Sequence, residues 1–211
     1  MVGRPRSTEC DNAILDSAVA EYASGGLEGM SVDAVAARAG VSKATIYRRY
    51  PSKVDLVIAA ATYLCVENSV HCDTGTLRGD LTTMLRNLRA NLVDPVFGVA
   101  KVRLVADALH SEELARAHRD LVLQRRQQTL AMLQRAIDRG ELRADIDLEF
   151  ATDELGAPVF YRYLLMHEIV DDAYLTHIVD SFMARYGQET ALVPSGARPG
   201  PIVTVSTPAN D

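Results

Sequence analysis

A chain of 211 residues with 48% hydrophobic side chains and no tryptophan is long enough to bury the core of one or two domains. Its formal net charge of −6 speaks against indiscriminate polyanion binding but leaves room for a local basic face. The longest uncharged apolar run, the eleven residues Leu56 to Val66, is too short to cross a bilayer.

The three cysteines show no framework spacing, and the opening MVGRPRSTE has no hydrophobic segment after its basic residues. The expectation is a soluble, cytoplasmic protein with reduced thiols and no membrane association. Few aromatics and abundant Ala and Leu favour helices packed on helices.

Helix signals dominate. A first helix is expected over about 11–24, with Ile14, Leu15, Ala18, Val19 and Tyr22 on one stripe and Gly25-Gly26 at its end. Ser31 suits the N-cap of a second helix closed by Gly40, and Ser42 caps a short third. Tyr50 precedes Pro51, which stops that helix near Arg49. A fourth helix, capped by Ser52 or led by Pro51, runs to about Cys72. Further helices are expected over 77–93, 95–109, 111–139, 147–169 and 171–187. The last 24 residues hold half of the eight prolines and almost no charge, the composition of a disordered tail.

Charge is unevenly placed. Residues 1–55 carry seven cations and seven anions, and Arg38 to Lys53 is a block of five cations without an anion. This block coincides with two helices joined by about three residues, the spacing of a DNA-binding helix-turn-helix. Val35, Ala39, Val41, Ile46 and Tyr50 form its inner face. Ser42, Lys43, Thr45, Tyr47, Arg48 and Arg49 crowd hydrogen-bond donors onto two turns of its outer face, as phosphate and base-edge contacts require. Lys53 adds a cation at the next helix N-terminus. Upstream, Arg4 and Arg6 flank a stiff proline, the composition of an arm that enters a minor groove.

SVDAVAARAGVSKATIYRRYPSKVDL resembles the signature of the TetR family of transcriptional regulators. The departures are small: Ala44 for the frequent Gly, Arg49 for His, Tyr50 for Phe. The resemblance implies an all-α fold, with an N-terminal three-helix DNA-binding domain and a C-terminal helical bundle for effector binding and dimerisation. It divides the chain into a flexible basic arm at 1–9, a helix-turn-helix domain at 10–55, an effector and dimerisation domain at 56–187 and a tail at 188–211. By the same resemblance Tyr47, Arg49 and Lys53 clamp phosphates, Ser42, Lys43, Thr45 and Arg48 reach into the groove, and Ser31 touches the backbone.

The implied partners are double-stranded DNA carrying a palindromic operator, a second copy of the chain and a small-molecule effector. The expected dimer interface uses Phe150, Leu155, Phe160, Leu164, Ile178, Phe182 and Met183, with Gly156-Ala157-Pro158 interrupting the first of its helices. In the long helix, QRRQQ at 124–128 breaks the apolar stripe, so Gln124 and Gln128 are candidate pocket residues. Arg86, Asn87, Phe97, Arg103, Asp107 and His110 are further candidates. Cys65 and Cys72, seven residues apart on one helix, are separated by about 10 Å along the axis and cannot bridge. No nucleophile–base pair, phosphate loop or metal motif is recognisable, and the five histidines are scattered. The expected protein is therefore no enzyme and takes no cofactor and no metal. An activator or partner-controlled factor without a small ligand is the alternative to a ligand-released repressor.

Overall fold

The computed structural model describes residues 5–67 and 72–188, with side chains over 8–64 and 72–188. Nine helices follow one another in these residues: α1 (Pro5–Gly29), α2 (Val32–Ala39), α3 (Lys43–Arg49), α4 (Lys53–Glu67), α5 (Leu77–Val93), α6 (Phe97–Ala108), α7 (Glu112–Asp138), α8 (Leu148–Leu165) and α9 (Asp172–Tyr186). No helix among them is long and apolar enough to cross a membrane. The fold is all-α, with a helix-turn-helix head followed by a helical bundle.

Short polar side chains set the boundaries. Ser31, Ser42, Thr76, Ser111, Asp147 and Asp171 each accept a hydrogen bond from a backbone N–H in the first turn that follows, each such cap contributing about 1 kcal/mol. Ser52 and Asp55 cap α4 reciprocally: the Asp55 carboxylate accepts from the Ser52 N–H at 2.9 Å, and the Asp55 N–H donates to Ser52 Oγ at 3.0 Å. Gly40 closes α2 in the left-handed region, φ 67°, where a Cβ would be strained.

Several boundaries differ from those expected: α4 is described only to Glu67, and Cys72 is non-helical rather than on the same helix as Cys65. The first helix begins at Pro5, so residues 5–9 are helical rather than an arm, and it breaks at Gly26 (φ 63°) before one last turn. Arg4, residues 189–211 and the side chains of Arg6 and Cys65 lie outside the described residues, as does His71. Pro158 does not interrupt α8, which passes through it and ends at Leu165. His167, at φ 56°, redirects the chain there.

Two cores form, and they do not divide at residue 55. The first gathers Ile14, Ala18, Val35, Ile46 and Leu56 from α1–α4, and extends to Ala100 and Leu104 of α6 and Leu114 and Leu121 of α7. The second gathers Leu81 and Leu85 of α5, Met132 and Leu133 of α7, Leu155 of α8 and Phe182 of α9. The head is thus built on α4, α6 and the start of α7, while the far half of α7 belongs to the other core.

The turn from α5 into α6 is tight. A Cβ on Gly98 would stand 2.0 Å from the Leu92 carbonyl oxygen and 3.3 Å from the Tyr163 hydroxyl. Gly98→Ala is expected to cost about 2–3 kcal/mol despite alanine's better helix propensity, lowering the melting temperature by roughly 5–10 °C. An unchanged melting temperature would show that the α5–α6 turn gives way freely.

Candidate nucleic-acid interface and cavity

The helix-turn-helix presents α3 outward. Ile46 is its one fully buried side chain and locks it against α1 and α2; Ser42, Lys43, Tyr47 and Arg48 are exposed and Thr45 is half-buried. Val35 is buried with Ile46, and Ala39, Val41 and Tyr50 pack partly buried against the same core, so the inner face assembles as its spacing predicts. The Ser42 and Thr45 hydroxyls lie 2.9 Å apart.

The basic block is partly compensated in space. Lys43 Nζ meets Asp33 at 2.9 Å, Arg38 meets Glu21 at 3.1 Å, and Arg49 Nε meets Asp11 at 2.5 Å. The anions that sequence order separates from the block return to it through α1 and α2. The two pairs with the most exposed cations, at Arg38 and Lys43, contribute about 0–1 kcal/mol each, so a phosphate can replace the carboxylate. Arg49 is more enclosed, its side chain only 25% exposed, and it pins α3 to α1 instead of extending the outer ridge. Arg48 has no ion-pair partner among the described residues. Lys53 Nζ reaches the carbonyls of Glu28 and Met30 at 3.3 and 3.4 Å, which ties the start of α4 to the end of α1. Ser31 is committed to its cap at the exposed start of α2.

Between the two cores lies a cavity of about 760 Å³, walled by α1, α4, α5, α6, α7 and α8. Its wall is mostly aliphatic, with Val57, Leu64, Met84, Leu88, Val105 and Val122 among its residues. Along α7 the lining residues His118, Leu121, Arg125, Gln128, Met132 and Arg135 recur at three- and four-residue steps, one helix face running the length of the space. QRRQQ thus breaks the stripe where the core itself is missing. Burial lowers the basicity of the His118 imidazole, and it raises the pKa of the Cys72 thiol at the same wall. Arg126, at the rim, is clasped by Glu149 and Asp153.

Of the eight expected pocket residues, Asn87 and Gln128 line this cavity and the other six do not. Gln124 is exposed and lies one helical turn before Gln128 without reaching the cavity wall, and His110 is exposed beyond the end of α6. Arg86 pairs with Asp172 at 3.1 Å, and Phe97 packs into the head's core. Arg103 and Asp107 turn to α1. Arg103 donates to the carbonyls of Ala23 and Ser24 at 2.9 and 3.2 Å, and Asp107 accepts from the Tyr22 hydroxyl at 2.8 Å and the Leu27 N–H at 3.0 Å. Burial and the Asp107 carboxylate hold the Tyr22 hydroxyl firmly protonated. Arg125, Arg135, Lys101 and His118 were missed. The first and last lie four residues after and three before Leu121, a register available from the sequence, whereas Lys101 on α6 needed the packing.

The expected interface residues also divide. Phe150 and Phe160 are exposed, Leu164 and Met183 half-buried, and Leu155, Ile178 and Phe182 buried in the subunit's own core. The outward apolar face of α8 instead carries Tyr161, 56% exposed, and Leu165, 67% exposed, in register with Phe150 and Ala157. Among the described residues no group of three or more His, Cys, Asp or Glu side chains could hold a metal.

A three-helix head with a donor-rich outward helix, mounted on a helical bundle that encloses a cavity, defines the class of helix-turn-helix transcriptional regulators. The profile described as "Bacterial regulatory proteins, tetR family" matches residues 14–60, and that described as "Tetracyclin repressor-like, C-terminal domain" matches residues 72–182. The chain belongs to the TetR family of transcriptional regulators. It is 34% identical over 178 residues to the HTH-type transcriptional regulator YdeS of Bacillus subtilis, covering 84% of this chain and 89% of that one. It is also 34% identical over 162 residues to the DNA-binding transcriptional repressor TetR of Mycobacteroides abscessus, covering 75% and 83%. The crystal structure of the TetR-family regulator SCO0332 aligns with a TM-score of 0.67 at 29% identity, over 83% of this chain and 97% of that one. These relatives are transcriptional regulators, and this protein is a regulator, not an enzyme.

Proposed function

We propose that the protein is a ligand-responsive repressor that binds a palindromic operator as a homodimer in the cytoplasm and is released by a small molecule entering the cavity. The observation that carries this reading is that the helices walling the cavity also hold the head. On α4, Val57, Ala60, Ala61 and Leu64 face the cavity, while Lys53 at its start grips the end of α1. On α6, Ala100, Leu104 and Val105 face the cavity, while Arg103 and Asp107 hold the same end of α1. A ligand that spreads these helices therefore moves the head. An effector favouring the non-binding arrangement by about 3 kcal/mol weakens operator affinity on the order of 100-fold. A solid bundle core would instead favour a factor without a small ligand; the cavity favours the ligand-controlled reading.

Selection from random duplexes with the purified protein is the test. Enriched sequences are expected to be inverted repeats with half-sites an integral number of turns apart; enrichment of single sites, or none, would count against the dimeric repressor. Lys53→Ala is expected to weaken all duplexes alike and to reduce the salt slope by about two ions per dimer. An unchanged slope would confine Lys53 to its carbonyl contacts on α1.

A further inference from the structure

The charges on the cavity wall are lopsided for so acidic a chain. Among the described residues, Lys101, Arg125, Arg126 and Arg135 line it against one carboxylate, Asp153. Arg126 is already held by Asp153 and Glu149, so the one carboxylate that lines the wall among the described residues is engaged. Arg125 has no hydrogen-bond or ion-pair partner among the described residues, and it is half-buried. Arg135 gives one N–H to the Cys72 carbonyl at 2.7 Å, and its Nε is buried without a partner among the described residues. The buried carboxylate close by, Asp80, is engaged by the Thr74 N–H at 2.6 Å, the Thr74 hydroxyl at 2.8 Å and Arg139 at 3.5 Å.

A guanidinium turned to an aliphatic cavity without a counter-ion is costly to desolvate. A ligand anion removes that cost, and a planar carboxylate or sulfonate matches the guanidinium fork with two parallel hydrogen bonds. From His118 to Arg135 the α7 face extends roughly 25 Å, with Leu121, Val122 and Met132 along it. That length suits an extended apolar body.

We propose that the effector is an amphipathic organic anion, its carboxylate- or sulfonate-type head group anchored on Arg125 and its apolar body lying along α7 toward the second cationic position at Arg135. This assignment rests on the reading of the cavity as the effector site and narrows it to a chemical class. Neutral ligands of equal shape leave Arg125 uncompensated, and cationic ones meet a wall of like charge.

Two fluorescent probes with one skeleton test it: 1-anilinonaphthalene-8-sulfonate, an anion, and N-phenyl-1-naphthylamine, which lacks the sulfonate. The full chain is expected to bind the anion at one site per subunit, about tenfold or more tighter than the neutral probe. Arg125→Gln is expected to abolish that preference with little effect on the neutral probe, and Arg125→Lys to retain part of it. Dodecanoate should displace the anionic probe from the unaltered protein, and dodecyltrimethylammonium should not, an arm that does not depend on any variant folding. Equal or tighter binding of the neutral probe, displacement by the cation, or a preference that survives Arg125→Gln would each overturn the proposal. Selective anion binding without release of operator DNA would uphold the ligand class and contradict ligand-released repression. Release by neutral or cationic compounds only would do the reverse.

Discussion

Tyr161→Glu combined with Leu165→Glu is expected to give a folded monomer that no longer retains operator DNA. Both side chains are more than half exposed in the subunit, so glutamates there cost the fold itself within about 0.5 kcal/mol each. In the proposed homodimer the same positions would meet α8 and α9 of the partner, placing four uncompensated carboxylates at an apolar contact. The outward face of α9 supports that geometry: Ala173, Ser181 and Ala184 are small and exposed, which lets helices approach closely. A lone head has few contacts and reads one half-site, so affinity should fall to that of non-specific binding. Sedimentation checks the mass and circular dichroism the fold. A variant that remains dimeric would move the interface elsewhere.

Arg48→Ala is expected to lower operator affinity on the order of a hundredfold, because in the proposed dimer one substitution would remove two base-edge contacts of about 1–3 kcal/mol each. Arg48 is the informative choice among the cations of the block. It is exposed in the last turn of α3 and has no carboxylate partner among the described residues, so its removal leaves the fold untouched. Arg49→Ala breaks the pair with Asp11 and should reduce stability along with binding. Equal affinity of Arg48→Ala and the unaltered protein for the selected operator, measured by anisotropy at fixed salt, would remove α3's last turn from the reading surface.

The head was the most legible part of the chain because its signals are local. Ser31, Gly40, Ser42 and the Tyr50-Pro51 step each act within one turn of their own position, and the structure uses them as caps and stops. Charge was less legible: the +5 block looked anion-free, yet Asp11, Glu21 and Asp33 fold back onto it. Periodicity identified Leu155, Ile178 and Phe182 as apolar faces without revealing whether their own subunit or a second copy covers them. The structure assigns them to the subunit core and leaves Tyr161 and Leu165 outward. The cavity was the least legible, since it arises from the register of six helices. Arg103 and Asp107 looked like polar anchors on an apolar helix, but their partners are at the end of α1, about 80 residues away in sequence.

The most direct measurement is a hydroxyl-radical footprint on the duplex selected by the protein, with the unaltered chain and Arg48→Ala side by side. Two protected patches on one face, a whole number of turns apart and both weakened by the substitution, are the predicted result. One patch alone, or paired patches indifferent to Arg48, would contradict a doubled α3 ridge as the reader of DNA.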